Sequence, residues 1–302
     1  MTLLTVFANN ILPILLLSGA GFALGRTLKL DSRPLGRVIF YILSPVLIFN
    51  LLTSSKLAVE NIGLMMGFAA SVIGIIAGIA FVIGKLLRLE RTLLSVVVLT
   101  SLFANNGNYG LPLISFAFGQ EALAYASIYF VTNCLLLYTV GVLIASLGHL
   151  RLKEALLGIL KVPTIYAIII AVIFIRTGWT LPAPIQKTVE LTSGGAVPAM
   201  LILLGLEMRK VDWNFNLRAL SIPVVCRLLV GPIIGLAMAA LFGLNNTIAK
   251  VGITQASMPS AVMTTILANE YKLDASLVTA IVFIGTILSP LTLTPLLYVL
   301  GR

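Results

Sequence analysis

Charge is what this sequence has least of. Asp, Glu, Lys and Arg make up 10% of its 302 residues and apolar side chains 59%, against about 25% and roughly 45–50% in a soluble domain. A soluble enzyme built around one core is excluded, and the chain reads as an integral membrane protein. Histidine occurs once and cysteine twice. His149 lies among basic residues in a connection, and Cys134 and Cys226 lie inside apolar runs, so neither a zinc site nor a disulfide framework is expected. An H-E-x-x-H arrangement, a pair of mid-membrane carboxylates and a phosphate-cradling loop with a lysine are all missing, so no enzyme, metal or cofactor is expected. The net charge of +10 is not a nucleic-acid signal, because the basic residues sit between apolar runs, where they set topology. No basic segment precedes the first apolar run, so that run is expected to be retained as a helix and not removed as a signal peptide.

Long apolar runs are what remains. They predict an all-α polytopic membrane protein of ten spans, at residues 3–25, 34–53, 62–84, 93–118, 121–147, 154–177, 183–206, 217–243, 248–269 and 275–300. The basic residues test the count. Fourteen fall in the odd-numbered connections: Arg26, Lys29, Arg33, Arg37, Lys85, Arg88, Arg91, Arg151, Lys153, Lys161, Arg209, Lys210, Arg218 and Lys272. Five fall on the other face: Lys56, Arg176, Lys187, Lys250 and Arg302. Cytoplasmic connections hold the excess, so both termini are expected outside.

Residues 1–148 and 149–302, five spans each, carry a weak internal symmetry. Pro45 matches Pro198, Gly74 and Gly78 match Gly231 and Gly235, and Pro112 matches Pro259. With an odd number of spans per half, the second half enters the membrane in the opposite sense, as in many secondary transporters. The two glycine pairs are read as close helix packing.

Span four contains Ala104-Asn105-Asn106-Gly107-Asn108-Tyr109-Gly110-Leu111-Pro112 at its middle. Three amides, two glycines and a proline disfavour a continuous helix. The backbone they open needs partners that hydrocarbon cannot supply. Span nine repeats the design as Thr254-Gln255-Ala256-Ser257-Met258-Pro259-Ser260. Gly107, Gly110, Pro112 and Pro259 are therefore expected to break two helices whose amino-terminal half-ends meet near the midplane. Such ends carry partial positive charge and free N–H groups, which suits an anion such as a carboxylate. The interiors of spans four, five, nine and ten lack ionisable Asp, Glu, Lys, Arg or His, so Asn105, Asn106, Asn108, Asn133, Gln255 and Ser257 are the expected substrate-binding groups. Arg227, in the middle of span eight, is either a functional charge or a structural group, in an ion pair or hydrogen-bonded to loosened backbone near Pro223 and Pro232. Glu190 and Glu207, towards opposite ends of span seven, read as interfacial, with a charge role open for Glu190.

These motifs, with Pro45 and the run Asn133-Cys134-Leu135-Leu136-Leu137-Tyr138-Thr139, resemble the auxin efflux carrier family along essentially the whole chain. The resemblance implies a fold like the bile acid sodium symporter and sodium/proton antiporter group. In it, spans one, two, six and seven form a scaffold that dimerises, and spans three to five and eight to ten form a mobile transport domain with helices four and nine crossed. It further implies that Asn105 binds the substrate carboxylate, that Asn133 lines the site, where plant members tend to have Gln, and that Ser44 faces it from the scaffold. Ser44 is more polar than the plant residue, which argues against indole-acetate selectivity and fits a small carboxylate. The expected activity is alternating-access transport of an organic anion across the plasma membrane, the inner membrane of a bacterium, with efflux driven by the membrane potential. The expected partners are that anion, membrane lipid and a second copy of the chain. A sodium- or proton-coupled symporter of the same fold and a transport-inactive membrane sensor are the alternatives.

Overall fold

The architecture is that of a computed structural model, which describes residues 2–55, 59–146, 157, 160, 162–208, 216–244 and 246–301. Lys56, His149, Arg151, Lys153, Lys161, Arg209, Lys210 and Arg302, on which the charge and histidine readings draw, lie outside the described residues. So does the first part of the sixth expected span, apart from Leu157 and Leu160.

The described residues form helices α1 (Leu3–Thr27), α2 (Ser32–Ser54), α3 (Glu60–Leu86), α4 (Arg91–Leu102), α5 (Asn106–Ala145), α6 (Pro163–Thr177), α7 (Ala183–Met208) and α8 (Leu217–Leu241). They continue with α9 (Asn246–Ala256), α10 (Met263–Glu270) and α11 (Ala275–Leu300). Seven of them, α1, α2, α3, α5, α7, α8 and α11, are long and apolar enough to cross a membrane. No strand occurs among the described residues, where the extended pairing is one isolated antiparallel bridge between Ala104 and Ser260. Helices are the physical necessity here. A chain of mean hydropathy +1.10 in lipid must satisfy its backbone groups within each segment or against its own neighbours.

Proline is accommodated by a recurrent device. Wide π-type turns at Phe7–Ile11, Ile39–Leu43, Asn106–Gly110 and Cys226–Val230 each end two residues before Pro13, Pro45, Pro112 and Pro232. The ring would clash with the carbonyl one turn back, and a widened turn moves that carbonyl aside. A fifth such turn, Leu137–Gly141, has no proline to explain it. Helix starts use side-chain caps: Asp31 accepts from the Arg33 N–H (3.1 Å), Asn216 from Arg218 (3.0 Å) and Asp274 from Leu277 (2.9 Å).

Helix α5 has 40 residues, about 60 Å at 1.5 Å per residue, roughly twice the hydrocarbon thickness. It is not straight. Gly119 sits at φ 82°, ψ −169°, a conformation open essentially to glycine, and divides the helix into two arms. The first arm continues the fourth apolar run and the second is the fifth.

α1 lies along α7, and α2 against α6 and the start of α7, where Asn50 Nδ2 donates to Ser193 Oγ (3.2 Å). α3 packs on α4, α5 and α8, and α8 packs on α9. The first pair is in backbone contact. A Cβ on Gly21 would strike the Ile202 carbonyl, and one on Gly205 the Ser18 carbonyl. Gly231 and Gly235 similarly let α8 approach Ala256 and Ile253 of α9. The matching expectation for Gly74 and Gly78 is corrected: nothing lies within 4 Å of a Cβ at either, because this face of α3 points away from its neighbours. Placing a side chain between α1 and α7 separates the pair. Gly205→Val should therefore destabilise the protein by about 1–3 kcal/mol, the usual range for overpacking, while Gly74→Ala should be neutral or slightly stabilising. Thermal unfolding in detergent compares the two.

Candidate functional site

Two helices stop inside the protein. α4 ends at Leu102 because Phe103 turns extended (φ −101°, ψ 116°), and α5 begins after Asn105 (φ −76°, ψ 55°). α9 ends at Ala256 and α10 resumes at Met263. The interruption therefore precedes Gly107, Gly110 and Pro112, which were expected to cause it. Gly107 and Gly110 lie in the first wide turn of α5, and Pro112 follows that turn, where a missing N–H costs nothing. The glycines serve close approach instead. A Cβ on Gly107 would meet the Phe130 ring at 2.6 Å, and one on Gly110 would strike Gln255 Oε1. Pro259 does lie in its break, so Pro112 and Pro259 do not occupy equivalent places.

The two breaks pair with each other. Asn105 N–H donates to the Pro259 carbonyl (2.7 Å) and Ala261 N–H to the Phe103 carbonyl (2.8 Å). Ser260 Oγ donates to the Thr100 carbonyl at 2.8 Å. Ala104 O accepts from Asn106 N–H (2.8 Å) and from Asn133 Nδ2 (3.1 Å). Arg227, 1% exposed, reaches the remaining carbonyls. Its Nε donates to Met258 O (3.0 Å), Nη2 to Ala256 O (2.9 Å) and Nη1 to Ser101 O (3.4 Å). The partner of Arg227 is thus loosened backbone, as one of its two readings held. That backbone is the breaks themselves, not the neighbourhood of Pro223 and Pro232.

Asn106 and Gln255 clasp the crossing. Asn106 Nδ2 donates to both the backbone carbonyl and Oε1 of Gln255 (2.8 Å each), and Gln255 Nε2 reaches the carbonyls of Asn106 and Ala126 (3.4 Å each). Both side chains are fully buried. Ser257 Oγ is turned back to Ile253 O (2.7 Å). These three, expected to hold a ligand, bond to neighbouring protein groups here, with Asn106 Oδ1 left without a partner. An amide opposite exposed backbone carbonyls bonds to them first, since a buried unpaired carbonyl is expensive.

Asn105, Asn108, Asn133 and Ser44 do come together. They line a cavity of about 60 Å³ into which the first residues of α5, Gly107 and Asn108, and of α10, Val262 and Met263, also project. Asn105 Nδ2 and Asn133 Oδ1 are buried without a partner, and their residues are each 4% exposed. The orientation of Asn133 is set by its bond to Ala104 O, leaving its oxygen over. The cavity therefore carries one spare amide donor, one spare acceptor and two helix starts, and no charged side chain among the residues that line it. Its remaining wall includes Ile39, Phe40, Phe130, Leu137, Tyr138 and Leu203. Sequence reasoning missed these, because an apolar residue in an apolar helix carries no signal of which face it turns inward. Glu190 is exposed on α7, accepts from Gln186 Nε2 (2.7 Å) and is not among the residues that line this cavity. Among the described residues no cluster of His, Cys, Asp or Glu could hold a metal ion.

A family model described as membrane transport protein matches residues 6–150 and 147–297. An uncharacterized transporter of Methanothermobacter thermautotrophicus is 27% identical over 290 residues, 94% of this chain and 95% of that protein. One of Methanocaldococcus jannaschii is 28% identical over 276 residues, 87% of each. Auxin efflux carrier component 8 of Arabidopsis thaliana is 31% identical over 133 residues, 43% of this chain and 36% of that protein.

If the clasp is structural, Asn106→Ala and Gln255→Ala should each lower stability by about 1–3 kcal/mol, the cost of a buried polar group left unpaired. The double variant should lose clearly less than the sum, since each single change strands the other member of the pair and the double change strands neither. Chemical or thermal denaturation of the four proteins forms the cycle.

Proposed function

The chain belongs to the family of membrane transport proteins that includes the auxin efflux carriers, and from that premise we propose that it carries organic anions, specifically carboxylates, by alternating access. The observation that carries the proposal is the cavity at the crossing, where two helix starts and the unpartnered Asn105 Nδ2 converge with no acidic residue in the lining. Helix starts present free N–H groups and partial positive charge. A carboxylate there accepts from Asn105 and from the helix ends, while Asn133 Oδ1 takes a hydroxyl or N–H of the solute. The apolar wall suits a carboxylate with an apolar body. It offers no side-chain cation to balance a second carboxylate, so monoanions are favoured over dianions.

Ten spans form the proposed frame. α4 with the first arm of α5 makes one interrupted crossing, the second arm another, and α9 with α10 a third. The remaining seven come from α1, α2, α3, α6, α7, α8 and α11. The pairing of α1 with α7 and of α2 with α6 supports an inverted repeat, because exchanging the halves turns one contact into the other. It also supports a scaffold of spans one, two, six and seven, against which spans three to five and eight to ten move. With both termini outside, the cavity opens along the cytoplasmic half of α2, at Gly36, Ile39, Phe40 and Ser44, and Leu47, Ile48, Leu51 and Leu52 close the outer half. With the interior negative, expulsion of a monoanion gains about 2.3 kcal/mol per 100 mV, so export is the favoured direction.

Asn105→Ala tests the site. Because Nδ2 has no partner in the protein, the variant should keep its unfolding temperature. Removing a hydrogen bond to a charged group, worth about 1.5–3 kcal/mol, should weaken carboxylate binding by tenfold or more. A panel of mono- and dicarboxylates measured by ligand-induced thermal shift, followed by flux in vesicles under an imposed potential, reads both. Undiminished affinity in the variant would refute the site.

A further inference from the structure

Arg227 is the largest fully buried side chain among the described residues, and the proposed anion site makes no use of it. The carbonyls that accept from it, Ser101 O, Ala256 O and Met258 O, belong to the last turn of α4, the last residue of α9 and the break that follows. Helix C-termini carry partial negative charge and unpaired carbonyls, so the two interrupted helices point two negative ends at one spot. Tyr129 Oη is itself buried without a hydrogen-bond partner. This is a cage of oxygens, of the kind that coordinates a monovalent cation at broken transmembrane helices, and the chain has filled it with its own guanidinium.

We propose that Arg227 is the resident counter-cation of the crossing, holding the carbonyl ends of both interrupted helices with a fixed positive charge where an exchangeable cation would otherwise sit. The charge, and not just the hydrogen bonds, is the function. It neutralises the negative ends behind the crossing, so that the positive ends in front dominate the potential in the cavity. Arg227 is thus a positioning residue that touches no solute. A corollary is that deleting the guanidinium while sparing the carbonyls turns the cage into a site for an added cation.

Arg227→Lys, Arg227→Gln and Arg227→Ala separate charge from hydrogen bonding. Lys keeps the charge with fewer suitably placed donors, and Gln keeps an amide donor without the charge. Thermal unfolding is followed in N-methylglucamine, sodium, potassium and methylguanidinium chlorides at matched ionic strength. The wild type should be indifferent to the cation, and Lys should stay close to it. Gln and Ala should unfold several degrees lower and recover part of that loss in methylguanidinium or in one of the small cations. Gln matching the wild type and exceeding Lys, or no cation effect on Ala or Gln, would reduce Arg227 to a hydrogen-bonding strut and overturn the proposal. Should Gln and Ala fail to fold, the wild type and Lys decide: a cation-dependent wild type overturns the proposal, and a cation-indifferent pair supports it. None of these readouts involves a carboxylate, so they stand apart from the Asn105 test of the transport reading.

Discussion

Backbone that leaves a helix inside hydrocarbon must find its hydrogen bonds within the protein, and where the two interrupted helices pair, nearly every polar group near the cavity is answerable to that demand. Each break on its own would strand several carbonyls at a cost of several kcal/mol apiece. Set antiparallel, they use each other: Asn105 with Pro259, Ala261 with Phe103, Ser260 with Thr100. Asn133, Asn106, Gln255 and Arg227 take further carbonyls that the pairing cannot reach. Neither break is viable without the other, so the crossing is a cooperative unit, and the helices that carry it, α4, α5, α8 and α9, are tied together through it.

The same arrangement sorts charge. Interrupting two antiparallel helices at one level puts two C-terminal ends and two N-terminal ends within a short distance of one another. Arg227 sits on the side of the carbonyl ends, and the cavity sits on the side of the N–H ends. An anion seat can therefore be made without a charged side chain in its lining, using backbone that helix geometry orients in advance. Neutral amides suit such a seat. A lysine or arginine in the cavity would bind an anion more tightly, but it would also slow release, and a carrier must release its solute on the far side.

Close packing decides what can move. The backbone contact between α1 and α7, at Gly21 and Gly205, has no slack for sliding. The apposition of α2 to the second arm of α5 is different in kind, since Ser44 and Phe40 face Asn133 and Tyr138 across a cavity. The rings of Phe40 and Tyr138, 5.8 Å apart, meet there with no hydrogen bond between them.

Membrane residence, an all-helical build and the two interrupted segments were legible in the residue pattern. Each follows from local chemistry: apolar runs exclude water, and an amide-glycine-proline cluster cannot run as a helix through lipid. The division of labour among the polar residues was not legible. Asn105 and Asn106 are adjacent and chemically identical, yet one keeps a free donor at the cavity while the other spends its donor on Gln255 and leaves its oxygen unpartnered, because successive residues at a helix start point in different directions. Arg227 could be singled out as a buried charge, but its partners lie at Ser101, Ala256 and Met258, up to 126 residues away along the chain. Propensity and hydropathy act over a few turns of chain. Which buried amide is satisfied and which is left over depends on carbonyls brought from distant segments, and only the tertiary structure sets those side by side.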